Sequence, residues 1–321
     1  MKAVIRTRYG SPDVLELREI DIPSPKENQV LVKINAVSVN PLDWHILRGK
    51  PFLVRLMGFG FLKPKQQILG ADIAGRVEAV GSGVSQFQIG DEVFGSGLGG
   101  FAEYACFRED KLVPKPQAIT FEQAAAVPVA GLTALQGLRD LGDIQPGHHV
   151  LINGASGGVG TFAVQIAKAF GAQVTAVCSG RNAEMVLSIG ADDVIDYTKS
   201  DFRENRDTYD LILDNVGNQS IIRTTRALKP QGIYVTIAGS ILAFFLWPLI
   251  RAVVSGKEGR KIKSKITDMN ATDMAYLGEL LASGKVVPVI DRTYSLSEVP
   301  EAVRYLEKGH ARGKVVIDVQ R

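Results

Sequence analysis

Residues His149 to Gly180, HVLINGASGGVGTFAVQIAKAFGAQVTAVCSG, indicate the fold class of the chain. An apolar strand ends in a glycine-rich turn, a helical run follows, and Gly171 stops that run before a second apolar strand. The apolar positions that recur at helical spacing are Val159, Phe162, Ala163, Ile166, Ala167 and Phe170. Strand, turn, helix and strand in this order predict a βαβ unit of a parallel sheet.

The glycine-rich turn has the composition of a dinucleotide phosphate site. Gly157 and Gly160 fill the second and third glycine positions of a G-x-G-x-x-G pattern. The first position holds Ala155, with Gly154 just before it, so a strict match fails by one residue. A glycine at the second position lets a pyrophosphate reach the N–H groups of the helix N-terminus. We predict cofactor phosphates here, rather than a glycine turn without a ligand, with contacts from Ala155, Ser156, Gly157, Gly158, Val159 and Gly160.

The residues after the second strand indicate which dinucleotide binds. An NAD site usually carries Asp or Glu about 20 residues beyond the glycines, to hold the ribose 2′-hydroxyl. This chain has Ser179, Gly180 and Arg181 there, and we expect no carboxylate at that place. A hydroxyl and a guanidinium suit a 2′-phosphate, which predicts NADP(H). The alternative for Arg181 is an ordinary solvated arginine.

The pattern on either side of this unit indicates two domains. From about Glu122, apolar strands alternate with helical runs, and six strand candidates complete one doubly wound sheet: HVLIN, QVTAVCS, DVIDY, DLILDN, GIYVTIAG and KIKSKIT. Before this point the chain has short strand candidates separated by Gly, Pro and Asn, and its tail returns to helix, strand, helix, strand. We predict an α/β fold, with a doubly wound parallel-sheet domain over 123–269 and a strand-rich domain over 1–122 and 270–321.

The composition indicates a globular protein that acts on small molecules. The 321 residues are 45% apolar and 22% charged, and 37 basic against 34 acidic residues give a net charge of +3 without a basic tract. Nucleic acid is therefore not a predicted partner. Cys106 and Cys178 form no Cys-x-x-Cys pair, which predicts a reducing compartment. The first strand has no apolar leader before it, so we expect a cytoplasmic protein.

The run Ile241–Val254 is strongly apolar but does not predict a transmembrane helix. A span needs roughly 20 apolar residues, whereas this run is shorter and holds Pro248 and Arg251. It is interpreted as a buried or ligand-facing helix. A subunit contact and a peripheral position on a membrane surface, helped by the basic stretch KEGRKIKSK that follows, stay open.

Three further motifs resemble those of one superfamily. The segments GADIAGRVEAVGSGVSQFQIGDEVFG (Gly70 to Gly95), AAAVPVAGLTALQGL (Ala124 to Leu138) and NGASGGVG are similar to those of medium-chain dehydrogenase/reductases, in the quinone oxidoreductase branch that includes enone reductases. The resemblance covers essentially the whole chain. It implies a GroES-like catalytic domain interrupted by a Rossmann domain that binds NADP(H).

The stretch VNPLDWHILRG, Val39 to Gly49, resembles the zinc-binding segment of alcohol dehydrogenases in that superfamily. Those enzymes have a zinc-binding Cys and a hydroxyl residue where this chain has Asn40 and Leu42. Their Gly-His-Glu motif corresponds to Gly70–Asp72, in which an Ala replaces the His. The segment after GDEV leaves no room for a structural zinc lobe. We expect no catalytic zinc.

The altered zinc segment predicts the type of chemistry. Alcohol oxidation needs a group that holds an alkoxide, which is the role of the ion in the zinc enzymes. Hydride addition to a conjugated C=C bond or a quinone is less demanding, because the negative charge moves onto a carbonyl oxygen that ordinary hydrogen-bond donors can stabilise. We predict NADPH-dependent reduction of a quinone or of an α,β-unsaturated carbonyl compound. A zinc-type alcohol dehydrogenase and a non-enzymatic NADPH-binding protein are the alternatives.

The resemblance also implies site residues. The Asn40 amide is expected to hydrogen-bond the cofactor or the substrate oxygen, with an Asn-Pro turn as the alternative. His45 is expected to contact the cofactor or deliver the proton that follows the hydride, with a structural role nearly as well supported. Asp43 is expected to orient backbone, and Trp44 to lie in the core. Further expected cofactor contacts are Thr133, Tyr197, Asn215, Val216, Gly217, Ala238, Gly239 and Lys314, the last with a solvated lysine as the alternative.

Two apolar segments suggest the substrate. Pro51 to Pro64 and Ile241 to Val254 adjoin places where the active site of the resembled family opens. Together they predict a hydrophobic mouth and an apolar enone or quinone, although core packing explains them almost as well. A homodimer is implied by the resemblance.

Overall fold

A computed structural model of the protein describes residues 1–237 and 259–321. The predicted site residues Ala238 and Gly239 and the run Ile241–Val254 lie outside the described residues. Internal contacts divide the chain into two units. The strand-rich unit comprises Met1–Val129, Met269–Gly284 and Pro288–Arg321, and the parallel-sheet unit comprises Ala130–Asp268 and Lys285–Val287.

The strands of the described chain are numbered in chain order. They are β1 (Lys2–Arg6), β2 (Leu15–Glu19), β3 (Gln29–Val39), β4 (Asp72–Val80), β5 (Glu92–Ser96), β6 (Tyr104–Arg108), β7 (Leu112–Pro114), β8 (His149–Asn153), β9 (Gln173–Cys178), β10 (Asp193–Asp196), β11 (Tyr209–Asp214), β12 (Leu228–Thr236), β13 (Lys261–Lys263), β14 (Ile290–Ser295) and β15 (Lys314–Asp318).

The helices are numbered in the same way. The α-helices are α1 (Pro41–Arg48), α2 (Phe121–Ala125), α3 (Pro128–Gln136), α4 (Gly158–Ala169), α5 (Ala183–Ser188), α6 (Ile221–Thr224), α7 (Ala271–Ala282) and α8 (Val299–Glu307). Turns of π-helix cover Arg55–Phe59 and Gly137–Leu141, and short 3₁₀ turns cover Pro12–Val14, Glu109–Lys111, Gly180–Asn182, Phe202–Glu204, Thr225–Ala227 and Leu296–Glu298. No helix of the described ranges has both the length and the apolar character needed to cross a bilayer.

The parallel-sheet unit has the predicted doubly wound topology. Its strand order is β10-β9-β8-β11-β12-β13, and every neighbouring pair is parallel. The central strands β8, β9 and β11 are largely apolar because helices cover both faces of such a sheet, and Leu151, Val177 and Ile212 are almost completely buried. The strand order reverses direction between β8 and β11, which is where sheets of this type bind ligands. The predicted α/β fold class is confirmed.

The strand-rich unit is built around β3, its longest strand. Its main sheet has the order β14-β15-β3-β4-β5-β7, with β6 also paired to β3, while β1 and β2 form a separate antiparallel pair. The core lies against this sheet and includes Val32, Ile34, Ile73 and Val315, which are completely buried. Since β3 pairs antiparallel with both β4 and β15, the end of β3 lies beside the starts of those two strands.

Candidate cofactor and catalytic sites

Three neighbouring strands bring polar residues to one point of the strand-rich unit. Ser38 near the end of β3 lies opposite Asp72, the first residue of β4. In the pair of β15 with β3, the residue after Lys314 lies opposite the residue before Asn40, so Lys314 faces Asn40 across the antiparallel ladder. The register thus collects a hydroxyl, a carboxylate, an ammonium and an amide from distant parts of the sequence.

The side-chain amide of Asn40 is buried and engaged on both ends. Its Nδ2 donates to Asp72 Oδ2 at 2.9 Å and to the Ser38 carbonyl at 3.3 Å, and its Oδ1 accepts from Lys314 Nζ at 2.7 Å. Asn40 occupies the N-cap of α1, yet its side chain does not cap that helix. Because both amide hydrogens are used, only a lone pair of Oδ1 is open to a ligand. The expected donation from Asn40 to a substrate oxygen therefore does not hold in this arrangement.

Asp72 and Lys314 form a buried ion pair. Their exposed fractions are 0% and 3%, and Lys314 Nζ lies 3.6 Å from Asp72 Oδ2. Asp72 also accepts from the Ser38 hydroxyl at 3.0 Å and from the Val129 N–H at 3.1 Å. Burial raises the pKa of Asp72 and lowers the pKa of Lys314, and their mutual attraction opposes both shifts. Removing either partner would leave an uncompensated buried charge.

Asp43 organises the backbone beside this pair, as expected from the sequence. Its Oδ2 accepts from the Asn40 N–H at 2.8 Å and its Oδ1 accepts from the Gly70 N–H at 3.0 Å. Burial, reinforced by the charge of Asp72, raises the pKa of Asp43 to about 7. The carboxyl group therefore fixes the start of α1 and the loop before β4 in one geometry.

The residues at the zinc-type positions are a poor donor set for a divalent metal. The oxygen of Asn40 already accepts from an ammonium group, and the carboxylate of Asp72 is paired with the same cation. Ala71 offers only a methyl group. A dication brought to these oxygens would be repelled by the buried charge of Lys314. The group therefore fits an internal lysine and not zinc.

His45 lies in α1 and is half-buried. Its ring stacks on Trp44, with the ring centroids 3.7 Å apart. Its Nδ1 lies 2.8 Å from the carbonyl oxygen of Lys50, and because a carbonyl only accepts, Nδ1 carries the proton of the neutral ring. The neutral ring then accepts at Nε2, and only the imidazolium form can donate a proton there.

The glycine-rich turn after β8 begins one residue earlier than the pattern suggested. Gly154 has a φ of +76°, which a glycine adopts without strain, whereas Ala155 is completely buried. A Cβ on Gly160 would lie 2.1 Å from the Gly154 carbonyl oxygen, so α4 packs on the turn only with glycine there. Among the described residues, a Cβ on Gly157 would meet only that oxygen, at 3.5 Å. Gly157 is thus not needed for packing within the protein.

The N-terminus of α4 fits a pyrophosphate. Gly157 is its N-cap and has no side chain with which to accept from the first N–H groups of the helix. These groups and the positive end of the helix dipole suit an anion. The predicted contacts Ser156, Gly158 and Val159 lie in the turn and in the first turn of α4. The residues present therefore fit the phosphates of a dinucleotide.

The segment after β9 adjoins this turn. Ser179 precedes a 3₁₀ turn that contains Gly180 and Arg181. The side chain of Asn182, which the sequence did not single out, donates to Ser156 Oγ at 2.9 Å. The predicted phosphate and ribose contacts thus lie at one edge of the sheet, as the parallel topology requires.

A carboxylate stands at this edge, contrary to the prediction. Asp196 ends β10 opposite Cys178, the last residue of β9. A Cβ on Gly180 would lie 2.5 Å from Asp196 Oδ2. Hydrogen bonds from Thr198 and from the Gly180 N–H lower the pKa of Asp196, so the group is charged at neutral pH. The sequence hid it because it belongs to the next strand.

The end of β11 completes the edge. Asp214 Oδ1 accepts from Asn153 Nδ2 at 2.8 Å and from the N–H groups of Val216 and Gly217 at 3.0 and 3.1 Å. A Cβ on Gly154 would lie 2.7 Å from Val216 Cγ2. The predicted segment Asn215–Gly217 therefore lies against the glycine turn.

The other predicted cofactor contacts have different surroundings. Thr133 lies in α3, with its hydroxyl 2.9 Å from that of Thr267. Tyr197 follows β10, donates its N–H to the Cys178 carbonyl and is 60% exposed. Lys314 was expected to reach a phosphate or to be solvated, but it is buried on Asn40 and Asp72. The fixed pairing of its ammonium group corrects both interpretations.

Sequence reasoning missed the partners that hold the candidate residues in place. Asp72 was named only as the residue that matches the Glu of the Gly-His-Glu motif, and Ser38 showed no signal beyond being a polar residue near the end of β3. Asp196 and Asn182 showed none that distinguishes them from ordinary turn residues. Their roles depend on strand pairing, which local sequence does not specify.

Comparison with known proteins gives matches along the chain. The family model of the alcohol dehydrogenase GroES-like domain matches residues 26–117, and that of the zinc-binding dehydrogenase matches residues 189–317. The chloroplastic NADPH-dependent alkenal/one oxidoreductase of Arabidopsis thaliana is 35% identical over 332 residues, which cover 99% of this chain and 79% of that protein. The chloroplast envelope quinone oxidoreductase homolog of the same plant is 34% identical over 334 residues, covering 99% and 98%.

A solved structure is similar over the same extent. The quinone oxidoreductase from Coxiella burnetii has a TM-score of 0.88 and 34% sequence identity to this chain, with 99% of each chain covered.

Proposed function

Since this chain belongs to the medium-chain dehydrogenase/reductase superfamily, in its quinone oxidoreductase branch, we propose that it is a zinc-independent, NADPH-dependent oxidoreductase. It transfers hydride to a quinone or to the C=C bond of an α,β-unsaturated carbonyl compound. The observation that carries the zinc-independent part is the contact of Lys314 with Asn40 and Asp72, which places an ammonium group against residues from both of the segments that resemble zinc-binding motifs. The oxidoreductase part rests on the named relatives and on the phosphate-fitting turn before α4.

The chain's own residues bind and orient the reactants. NADPH, when bound, supplies the hydride. Its phosphates are held at the N-terminus of α4, and its ribose groups by the segments after β9 and β11. Asn40, fixed by Lys314, offers Oδ1 as an acceptor to a hydroxyl or N–H of the reactants. His45, as imidazolium, gives a proton to the reduced substrate, while the neutral ring holds only a hydrogen-bond donor at Nε2.

The choice of NADPH over NADH rests on Ser179 and Arg181. A guanidinium pairs with a phosphate by charge-assisted hydrogen bonds that NADH cannot offer. The negative charge of Asp196 disfavours a 2′-phosphate close to it. Its carboxylate, however, already accepts hydrogen bonds from Thr198 and from the Gly180 N–H. We therefore assign the 2′-phosphate to the side of the segment that carries Arg181.

The reaction is tested with a panel of a simple enone, a quinone and an aldehyde, followed at the NADPH absorbance band. We expect steady NADPH oxidation with the enone, the quinone or both, and at least tenfold slower turnover of the aldehyde. Turnover of the aldehyde alone, with a requirement for added zinc, would identify an alcohol dehydrogenase. Tight NADPH binding without turnover of any compound would identify a non-enzymatic binding protein.

The cofactor assignment is tested with Arg181→Asp in the same assay. Loss of one charged hydrogen-bond partner typically costs about 1.5–3 kcal/mol, so we expect KM for NADPH to rise roughly 10- to 100-fold and KM for NADH to change little. Arg226→Asp is the control, because Arg226 is an exposed arginine of the same unit outside the predicted cofactor contacts. Equal losses for both cofactors would contradict the assignment.

Cytoplasmic residence and a homodimer are also part of the proposal. The features that support them are two cysteines without a Cys-x-x-Cys pair, which is typical of a reducing compartment, and the family resemblance. Fractionation of cells and light scattering of the purified chain test the two statements separately. Recovery in an organelle or a monomeric mass would contradict the respective statement.

A further inference from the structure

We propose that the segment Pro51–Lys65 of the strand-rich unit is a docking surface for an anionic phospholipid bilayer. This surface, called here the apolar loop, follows α1 and contains the π-helical turn Arg55–Phe59. The inference concerns attachment and does not depend on the proposed redox chemistry.

The apolar loop presents large apolar side chains to solvent. Its exposed fractions are 52% for Phe52, 38% for Leu53, 58% for Leu56, 56% for Phe61 and 81% for Leu62. Folded proteins rarely leave such a group uncovered in so short a segment, and contiguous patches of this kind mark interaction sites. The apolar loop therefore needs a partner that removes it from water.

These side chains are held together as one patch. The rings of Phe52 and Phe61 contact edge to face, with centroids 5.4 Å apart. Leu53 and Leu56 are three residues apart along a helical turn and so share a face, and Leu56 is likewise four residues from Phe52. The chain itself thus places apolar groups next to one another on the outside.

The base of the apolar loop is anchored to the rest of the unit. Val54 is buried in the core of the strand-rich unit, and Phe59 packs against that core. The Tyr9 hydroxyl lies within hydrogen-bond distance of the carbonyl oxygens of Phe59 and Gly60, at 2.8 and 2.5 Å. The guanidinium of Arg55 lies 4.4 Å from the centroid of the Tyr9 ring. The outward side chains are therefore presented on a fixed base.

Lysines without acidic neighbours in sequence lie at the ends of the apolar loop. Lys50, Lys63 and Lys65 are exposed, and the sequence contains no Asp or Glu between Asp43 and Asp72. Within the described part of the chain, none of these lysines has a carboxylate at ion-pair distance. Exposed apolar groups next to free lysines have the composition of a surface that inserts at the headgroup level of an anionic bilayer.

The same charges argue against the other occupants. In a two-fold dimer, each patch would meet its own copy and bring lysines against lysines. A small apolar substrate has no charge for the three lysines to neutralise. Only an anionic surface satisfies both the apolar groups and the cations.

The test measures binding of the full-length chain, without substrate or cofactor, to sedimented vesicles. We expect binding to vesicles of phosphatidylcholine with phosphatidylglycerol, and at least tenfold weaker binding to phosphatidylcholine alone. The double variant Phe61→Ser/Leu62→Ser should lose at least tenfold in affinity. Lys63→Gln/Lys65→Gln should lose roughly 25-fold, at roughly fivefold for each cation near an anionic surface.

Ile89→Ser provides the matched control, because Ile89 is 69% exposed in the same unit but outside the apolar loop. This variant should bind vesicles like the unchanged protein, and unfolding temperatures establish that all variants fold. Equal binding to both vesicle types, or equal loss in the control, would overturn the proposal. So would self-association without vesicles that the double variant abolishes. An effect of the variants confined to turnover of an apolar quinone would assign the apolar loop to substrate entry and also overturn it.

Discussion

Burial of a single carboxyl group couples the stability of the strand-rich unit to pH. The pKa of Asp43 is raised from its ordinary value of 3.8 to about 7. Between these values the folded chain keeps a proton that the unfolded chain has lost, so stability falls as pH rises from about 4 to 7. The full effect is up to about 4 kcal/mol, from about 1.4 kcal/mol for each pKa unit.

Urea unfolding of the protein and of Asp43→Asn between pH 4 and 8 measures this effect. The variant cannot ionise at this position, and its amide loses one acceptor for the Asn40 and Gly70 N–H groups, which is a pH-independent cost. We expect the stability of the unchanged protein, relative to the variant, to fall across this range. A difference that stays constant with pH would contradict the raised pKa.

For individual residues, the sequence singled out members of the polar group around Asn40 better than it predicted their roles. Asn40 was identified from its place in the zinc-type frame, and the structure buries it among polar groups. Its role as an acceptor depends on Lys314 and Asp72, whose positions relative to Asn40 follow only from strand register. Lys314 was misjudged because an isolated lysine is normally solvated.

In the turn between β8 and α4, one glycine is required for packing and another for cofactor binding. A Cβ on Gly160 would clash with backbone atoms of the turn, at 2.1 Å from the Gly154 oxygen and 2.7 Å from the Ala155 Cα. We expect Gly160→Ala to destabilise the parallel-sheet unit by about 1–3 kcal/mol, as overpacking does. Urea unfolding without cofactor measures the loss.

Gly157→Ala is the matched variant of the same turn. Its Cβ would meet the protein only at 3.5 Å, so we expect little change in stability but at least tenfold weaker NADPH binding, because the methyl group blocks the approach of the pyrophosphate. Fluorescence titration with NADPH measures this. Equal destabilisation by the two substitutions would show that the turn is not divided in this way.

Whole elements were easier to predict than their ends or irregularities. The central strands of the parallel sheet were predicted from largely apolar runs, since strands buried on both faces have that composition. β13 is only three residues long, although the predicted segment continued to Thr267. The π-helical turn that follows α3 had no signal, because its residues Gly137–Leu141 suit an ordinary helix equally well.

For the molecule as a whole, the internal cation of the strand-rich unit predicts independence from metals. We expect prolonged dialysis against a strong chelator to leave both turnover and unfolding temperature unchanged, because Lys314 already neutralises Asp72. A zinc-dependent alcohol dehydrogenase treated in parallel shows that the chelator is effective. Loss of activity that zinc restores would contradict the zinc-independent assignment.

A division into two domains was predicted from the change in sequence pattern, but the residues at which the two units begin and end were not. The change from strand-rich to alternating sequence pointed to a boundary near residue 122, whereas contacts keep the chain in the strand-rich unit to Val129. The N–H of Val129 donates to Asp72, which explains why this short stretch belongs there. Residues Lys285–Val287 belong to the parallel-sheet unit, where two hydrogen bonds join Val287 to Gln165, and this return has no signal in the sequence.

The position of β15 beside β3 has a consequence for biosynthesis. A ribosome completes β3, β4 and β6 long before it reaches Lys314, so the nascent chain carries Asp72 without its counter-ion and leaves residues 36–39 of β3 without their partner strand on one edge. The strand-rich unit therefore reaches its final sheet only after the parallel-sheet unit has been translated. Until then Asn40 lacks the lysine that accompanies it in the finished protein, and the growing polypeptide cannot yet form the hydrogen bond between these two side chains.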